Sequence, residues 1–350
     1  MVFRSIIFLL SSVPCWMVFF IRPQWQEIHI NGNAQGTTYH ITYYTRGKSV
    51  THRQIDSLLK EVDRSLSIYD PQSLISRFNR SARGMEMDTH LNHVVHKSLE
   101  VKEATGGIFD ITVLPLMTAW GFGTGATPGA GPAAALSPIP ETTDAIRIRT
   151  IMTYVGSAHL KVQNGFLAKD NANVKIDVNG IAQGYSVDVV AAFLERHSIR
   201  NYLVEIGGEL RVCGHKQPEN THFKIGIEAP AVHQNDDEVI KRIVEIKHGA
   251  ITTSGNYRNY HLNKGRKISH LLDARTGYPI DNELIAVTVW AQDAITADGF
   301  DNALMGMGLK NAFAFLQKKK HMEAYFIYRR TSGEVTDTCT TGFLPFFKQD

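Results

Sequence analysis

Strand-like and helix-like segments do not alternate along this chain, and that order excludes more folds than any other feature of the sequence. Thr37 to Tyr44 (TTYHITYY) reads as a strand. Thr51-x-x-Gln54 is a capping box, and Ile55, Leu58, Leu59, Val62 and Leu66 follow at helical spacing. A second helix is expected from His90 to Thr105, stopped by Gly106-Gly107. Residues 121–140, rich in Gly, Ala and Pro, read as a long surface loop. Beyond it come a helix from Ala182 to His197 and strands near Tyr202–Ile206, Phe223–Ile227, Ile243–Ile246 and Ile285–Trp290. Helices at Ala297–Met305 and Asn311–Lys318 and a last strand at Ala324–Tyr328 complete the pattern. No repeat of 20–50 residues is present. Such an order favours an α+β fold, mixed or antiparallel sheets with packed helices, over a doubly wound parallel sheet.

The front of the chain is different. Arg4 precedes a nearly unbroken apolar run from Ser5 to Ile21, at the lower length limit of a membrane-spanning helix. No A-x-A cleavage site follows, and Arg22-Pro23-Gln24-Trp25 resembles an interfacial collar. Val13 and Pro14 stand where a lipidation signal at Cys15 would carry small residues, so an uncleaved anchor or atypical signal is expected before a lipid anchor. Residues 1–26 are therefore expected to be a targeting or anchoring segment and 27–350 one exported domain.

Charge excludes a further class. Lys and Arg total 37 against 34 Asp and Glu, a net charge of +3, which predicts no broad polyanion surface and no nucleic-acid partner. Three cysteines rule out a disulfide scaffold or a four-Cys metal knuckle. Export would permit a Cys213–Cys339 bond, and free thiols stand equally open. Gly121-x-Gly123 is no dinucleotide fingerprint, because Pro128 and Pro132 prevent a following helix.

Three constellations could carry chemistry. On a helix, Asp298, Asp301 and Asn302 fall at i, i+3 and i+4 and share one face, a set suited to a hard cation such as Mg²⁺ or Ca²⁺. The plainer reading is a solvated acidic face near a helix start. In Asp177–Asp188 a short extended piece turns into a helix at Asn179-Gly180, with Gly180, Ala182 and Gly184 small enough for close approach. Ser269–Pro279 sets His270 before a D-x-x-T-G turn; a structural histidine there is the plainer reading. His90, His93 and His96 lie opposite Leu91, Val94, Val95 and Leu99 and read as a solvated face.

Taken together, these segments resemble the FAD:protein FMN transferases, the ApbE family, over nearly all of the chain after the leader. The resemblance rests on Gly36–Tyr39, Ser67–Asp70 with Ser76–Asn79, Gly107–Thr112 and Asp177–Tyr185. It continues through Glu205–Leu210, Thr253–Tyr257, His270–Pro279 and Ala297-Asp298 with Asn302–Leu304. It implies a single catalytic domain, related to the T-fold, that binds FAD with Mg²⁺. A Thr or Ser hydroxyl of an acceptor protein attacks the phosphorus of the FMN half, and AMP leaves. The implied metal set is Gly180, Asp298, Asp301 and Asn302. The implied flavin pocket is Gln35, Tyr69, Ile108, Phe109, Asp110, Asp177, Gln183 and Leu272, with Tyr69 and Phe109 as stacking surfaces. His270 is the candidate to take the hydroxyl proton and, with Asp298, forms the catalytic pair. The implied acceptors carry a D-x-x-[ST]-G-A-[ST] segment and belong to membrane redox complexes on the periplasmic side of a bacterial inner membrane.

Asn302 stands where this family usually has Thr, Gln35 where Met is common, and Gln183 where Lys is frequent. An FAD pyrophosphatase using water as the nucleophile, and a flavin-binding protein without turnover, are the alternatives. Thr124-Gly125-Ala126-Thr127 looks like the modified core of the acceptors, but Gly121 stands where they have an acid, so composition explains it better than self-modification at Thr127.

Overall fold

The computed structural model describes residues 24–122, 145–228, 240–256, 260–263 and 266–347. The apolar run, Cys15, Thr124–Thr127 and most of the Gly/Ala/Pro-rich stretch lie outside them. Strands β1 (Gln26–Ala34) and β2 (Thr37–Thr45) form a hairpin. Its two turn residues, Gln35 (φ 56°) and Gly36 (φ 74°), both take positive φ, as a tight two-residue hairpin requires. The sheet already includes Gln26, and Trp25 packs beneath Arg46, whose guanidinium lies 4.3 Å from its ring centre.

Next come α1 (His52–Leu66), α2 (Leu74–Arg80), β3 (Gly84–Glu86), α3 (Thr89–Ala104), α4 (Leu114–Ala119) and α5 (Ala145–Met152). The expected capping box is present: Gln54 N donates to Thr51 Oγ1 and Thr51 N to Gln54 Oε1. Helix α3 is capped by Asp88, which accepts from Leu91 N at 2.8 Å, and leaves through Gly106 and Gly107 at positive φ. Strands β4 (Leu160–Gln163) and β5 (Phe166–Lys169) join β3 in a small sheet, and α6 (Asn179–Arg196) follows.

The last part of the chain is mostly sheet. It runs β6 (Asn201–Ile206), β7 (Glu209–Cys213), β8 (Phe223–Glu228), β9 (Ile240–Ile246), β10 (His248–Gly255), β11 (Tyr260–Asn263) and β12 (Arg266–Ser269). Then come β13 (Leu272–Asp273), β14 (Tyr278–Pro279), β15 (Leu284–Ala291), α7 (Ala294–Met307), α8 (Leu309–Leu316), β16 (Glu323–Arg329) and β17 (Val335–Cys339). The expectation that Ala324–Tyr328 would be the last strand is corrected by β17, whose sequence VTDTC lacks the apolar run that marks a strand.

The main sheet has the order β1-β2-β6-β7-β10-β15-β16-β17, with every pairing antiparallel. Side chains alternate between its faces. Tyr39, Ile41 and Tyr43 of β2, Val287 and Val289 of β15 and Phe326 of β16 point into one core with Ile55, Leu91, Ile181, Phe300 and Leu304 of the helices. Tyr44, Ile251, Tyr325 and Ile327 point the other way, against Phe223, Ile225 and Ile227 of β8 and Phe343. Each such fully buried side chain contributes roughly 1.5–3 kcal/mol, so both faces of the sheet are held. Cys213 and Cys339 are free thiols. Among the described residues no helix is long and apolar enough to cross a membrane.

Candidate active site

The site forms where α6 meets α7. Gly184 on α6 faces α7 so closely that a Cβ there would stand 2.7 Å from Asp298 Cβ, and would also collide with the Ala294 carbonyl. The expected use of small residues for close approach therefore holds at this position. Gly184 N donates to Asp298 Oδ2 at 2.8 Å. Asp188, one turn further along α6, accepts from Ala294 N (3.0 Å) and Ile295 N (2.8 Å) and pairs with Arg211 Nη1 of β7 at 2.6 Å. It satisfies free amides in the first turn of α7 and ties both helices to the sheet.

Two turns of α7 carry the acids. Asp298 and Asp301 are only 4 % and 1 % exposed, which overturns the reading of a solvated acidic face. Glu209, the first residue of β7, joins them: the charges of Asp298 and Asp301 both bear on its carboxyl, and Thr253 N donates to it. Burial pushes Asp298 up to about 7; the Gly184 amide opposes this and the charge of Asp188 adds to it. Asp301 is raised well above the carboxylate range by burial and then by Asp298, and Glu209 by burial and then by both aspartates. Glu209 Oε2 and Asp301 Oδ2 are buried without a hydrogen-bond partner.

Beside them the backbone of Gly180 leaves helical geometry (φ −80°, ψ 16°), and its carbonyl accepts from Asn302 Nδ2 at 3.3 Å. Asn302 Oδ1 accepts from Ser254 Oγ of β10 at 3.0 Å. Among the described residues no three His, Cys, Asp or Glu side chains converge closely enough to hold a metal ion alone. Asp301 Oδ1 and the backbone carbonyls of Gly180 and Asp298 do converge on the Asn302 carboxamide, with the Asp298 carboxyl near enough for its charge to bear on Asp301, and the unpartnered Asp301 oxygen and the raised carboxyls fit a hard cation.

The implied flavin residues are contributed by several elements. Phe109 lies over Gly180, its Cε2 3.5 Å from where a Cβ would stand, with Asn302 at the same distance. Tyr69 is 46 % exposed, a flat surface open to solvent, with Asp177 and Asn179 beside it. Asp177 accepts from Asn179 N at 2.8 Å, and burial pushes it up to about 6. Gln35 donates to Ser186 Oγ of α6 at 2.8 Å, while Gln183 lies against Gly207 and Thr37. Ile108 packs against Gly306 of α7. Leu272 belongs to the cluster around Trp120 and Ile148, and the ring of His270 is 6.4 Å from that of Phe122. Asp110 is buried and fully engaged: Oδ1 accepts from Thr112 N, Thr112 Oγ1 and Ser157 Oγ, and Oδ2 from Ser157 N. Its carboxylate fastens the segment carrying Ile108 and Phe109.

Of the three histidines read as a solvated face, His93 and His96 are exposed, but His90 is half-buried and bonded to Tyr185 OH at 2.8 Å. Sequence reasoning gave no role to Asp188, Arg211, Glu209 or Ser254. Glu209 carried a signal, an acid opening an apolar strand directly after Gly207-Gly208; Asp188 lies one turn beyond Gly184 on α6, and Arg211 and Ser254 reach the site only through sheet order.

An antiparallel sheet backed by helices, with two buried acids of one helix set on the kinked first turn of another, defines the class. The sequence model of the ApbE family matches residues 35–326, and the chain belongs to that family. It is 34% identical over 330 residues to the FAD:protein FMN transferase of Vibrio cholerae, covering 93% of this chain and 94% of that protein. With the enzyme of the same description from Escherichia coli K12 it shares 32% over 301 residues, 84% and 80% of the two chains. The fold is similar to that of the solved flavin transferase ApbE from Vibrio cholerae, with TM-score 0.79 and 33% identity over 92% of this chain and 99% of that one. The flavinyl transferase ApbE of Pseudomonas stutzeri matches with TM-score 0.79 and 32% identity over 93% and 98%.

Proposed function

We propose that this chain transfers the FMN moiety of FAD to a Thr or Ser hydroxyl of an acceptor protein and releases AMP. The observation that carries the reading is the buried Asp298–Asp301 pair set against the Gly180 carbonyl, next to the aromatic surfaces of Phe109 and Tyr69. Asp298, Asp301, Asn302 and the Gly180 carbonyl would hold Mg²⁺, which when bound supplies the counter-charge of the pyrophosphate. Tyr69 and Phe109 offer flat walls to the rings, and Gln35, Ile108, Asp110, Asp177, Gln183 and Leu272 complete the pocket. The acceptor oxygen bonds to the phosphorus of the FMN half, the bond to the AMP oxygen breaks, and His270 takes the hydroxyl proton. The acceptors proposed are subunits of membrane redox complexes bearing D-x-x-[ST]-G-A-[ST], met on the periplasmic side of a bacterial inner membrane where the N-terminal segment anchors the enzyme.

The test uses the full chain with FAD, Mg²⁺ and an acceptor carrying that segment. An FMN-sized gain in the acceptor's intact mass, dependent on Mg²⁺ and on the acceptor Thr, is expected together with AMP. AMP without acceptor gain would replace the transferase with a pyrophosphatase, and neither signal would leave a flavin binder.

A further inference from the structure

Asn302 is placed in an unusual way for a cation ligand. Its Nδ2 donates to Asp301 Oδ1 at 3.0 Å, to the Asp298 carbonyl at 3.2 Å and to the Gly180 carbonyl at 3.3 Å. Two of these three oxygens, Asp301 Oδ1 and the Gly180 carbonyl, belong to the candidate cation set, and the amide N–H groups point at them. Reversing the carboxamide in this arrangement would set Oδ1 against three oxygens and lose the hydrogen bonds that its two N–H groups share among them. A cation bound to the same oxygens reverses the preference: it attracts the amide oxygen and repels the N–H groups.

The other end of the carboxamide is prepared for either orientation. Oδ1 accepts from Ser254 Oγ at 3.0 Å, and Ser254 is buried, 8 % exposed, on β10 beside α7. A hydroxyl donates or accepts according to its rotor, so it donates to Oδ1 as seen here and accepts from Nδ2 once the amide turns. An alanine there would serve neither orientation.

We infer that Asn302 acts as an internal stand-in for the cation, its carboxamide turning over when a divalent cation binds, and that Ser254 is the positioning residue that accommodates both orientations. The inference rests on the proposed cation centre and adds what this chain's own Asn brings to it. The same side chain neutralises the oxygen set when no cation is present and completes it when one is. The turn-over sets a cost on cation binding that Thr at this position would not carry, since its hydroxyl need only rotate.

The experiment uses the full chain with Mg²⁺ alone, without FAD. Calorimetric titration and melting temperatures in EDTA and in Mg²⁺ are measured for the wild type, Asn302→Thr, Ser254→Ala and Ser254→Thr. Asn302→Thr should melt lower than the wild type in EDTA and yet bind Mg²⁺ roughly three- to tenfold more tightly, the worth of about one hydrogen bond. Ser254→Ala should bind Mg²⁺ more weakly by a similar factor, and Ser254→Thr, which keeps the hydroxyl, should restore it. In the wild type the side-chain amide NMR signals of Asn302 should shift as Mg²⁺ saturates. Asn302→Thr with unchanged melting in EDTA and no gain in affinity would overturn the turn-over, as would stationary Asn302 signals at saturation. A wild type that binds no Mg²⁺ at all would remove the cation centre itself, and the inference with it.

Discussion

The backbone amide of Gly184 donates to the carboxylate of Asp298 at 2.8 Å, across a helix contact that leaves no room for a Cβ. Among the described residues this bond is the only one that α6, which also supplies the Gly180 carbonyl, donates to Asp298, so it registers the acids of α7 against the kink of α6. Gly184→Ala should destabilise the protein by about 1–3 kcal/mol, the usual cost of overpacking. It should also weaken Mg²⁺ binding, because α7 must move away to admit the methyl group. Urea unfolding and a Mg²⁺ titration check the two effects together.

The buried carboxyls predict a pH dependence of definite sign. Asp298 is raised from 3.8 to about 7, and Asp177 from 3.8 to about 6, both by burial. Between the unfolded and folded values the native state holds protons that the unfolded chain has released, so stability falls as pH rises. The contribution is fully present below pH about 4 and is lost by pH about 7. Asp301 and Glu209, raised in the same direction, steepen the fall. In EDTA the melting temperature should therefore decline from pH 4 to pH 7, and saturating Mg²⁺ should flatten the slope by favouring the ionised forms. A slope identical with and without Mg²⁺ would separate these acids from the cation.

Much of the fold could be read in advance, and the reason is periodicity. Helices α1, α3, α6 and α7 and strands β2, β6, β8 and β15 bury one face or both, so their apolar spacing shows. Strand β1 (QEIHINGNA) and β17 lie at the edges of the sheet and carry polar residues that hide the pattern, while α2 is only 7 residues long. At the site the shared helical face of Asp298, Asp301 and Asn302 was legible, but its burial was not. That burial follows from β7 and β10 being neighbours in the sheet, which brings Glu209 and Ser254 to α7 from 92 and 48 positions away in sequence respectively, counting Asp301 back to Glu209 and Asn302 back to Ser254. No local pattern encodes that neighbourhood.

Asp188 should behave as a brace and not as a ligand. Its carboxylate is shared between two α7 amides and Arg211, and removing it leaves a mostly buried guanidinium with only the longer 3.8 Å pair to Glu195. Asp188→Ala should cost about 3 kcal/mol in urea unfolding, as for other broken buried pairs. Adding Arg211→Met should recover part of the loss, since the poorly compensated charge is then gone, and a double-mutant cycle measures the coupling. Additive losses would mean that the two side chains act independently.

Asp110 and Tyr69 are both implied in the flavin pocket, and the structure gives them opposite tasks. Among the described residues every hydrogen bond of the Asp110 carboxylate goes to Thr112 or Ser157, so it spends its acceptors on holding the Ile108–Phe109 segment. Asp110→Ala should lower stability by roughly 1–3 kcal/mol by leaving those buried donors unsatisfied. Tyr69, nearly half exposed, holds little of the core and is free to present its ring. Tyr69→Ala should leave the melting temperature close to that of the wild type while weakening FAD binding severalfold, and Tyr69→Phe should retain affinity because the flat surface remains. Melting curves and a fluorescence titration of FAD separate the two tasks. The reverse pattern, with Tyr69→Ala unstable and FAD affinity unchanged, would assign that ring to the scaffold and leave Phe109 as the stacking wall.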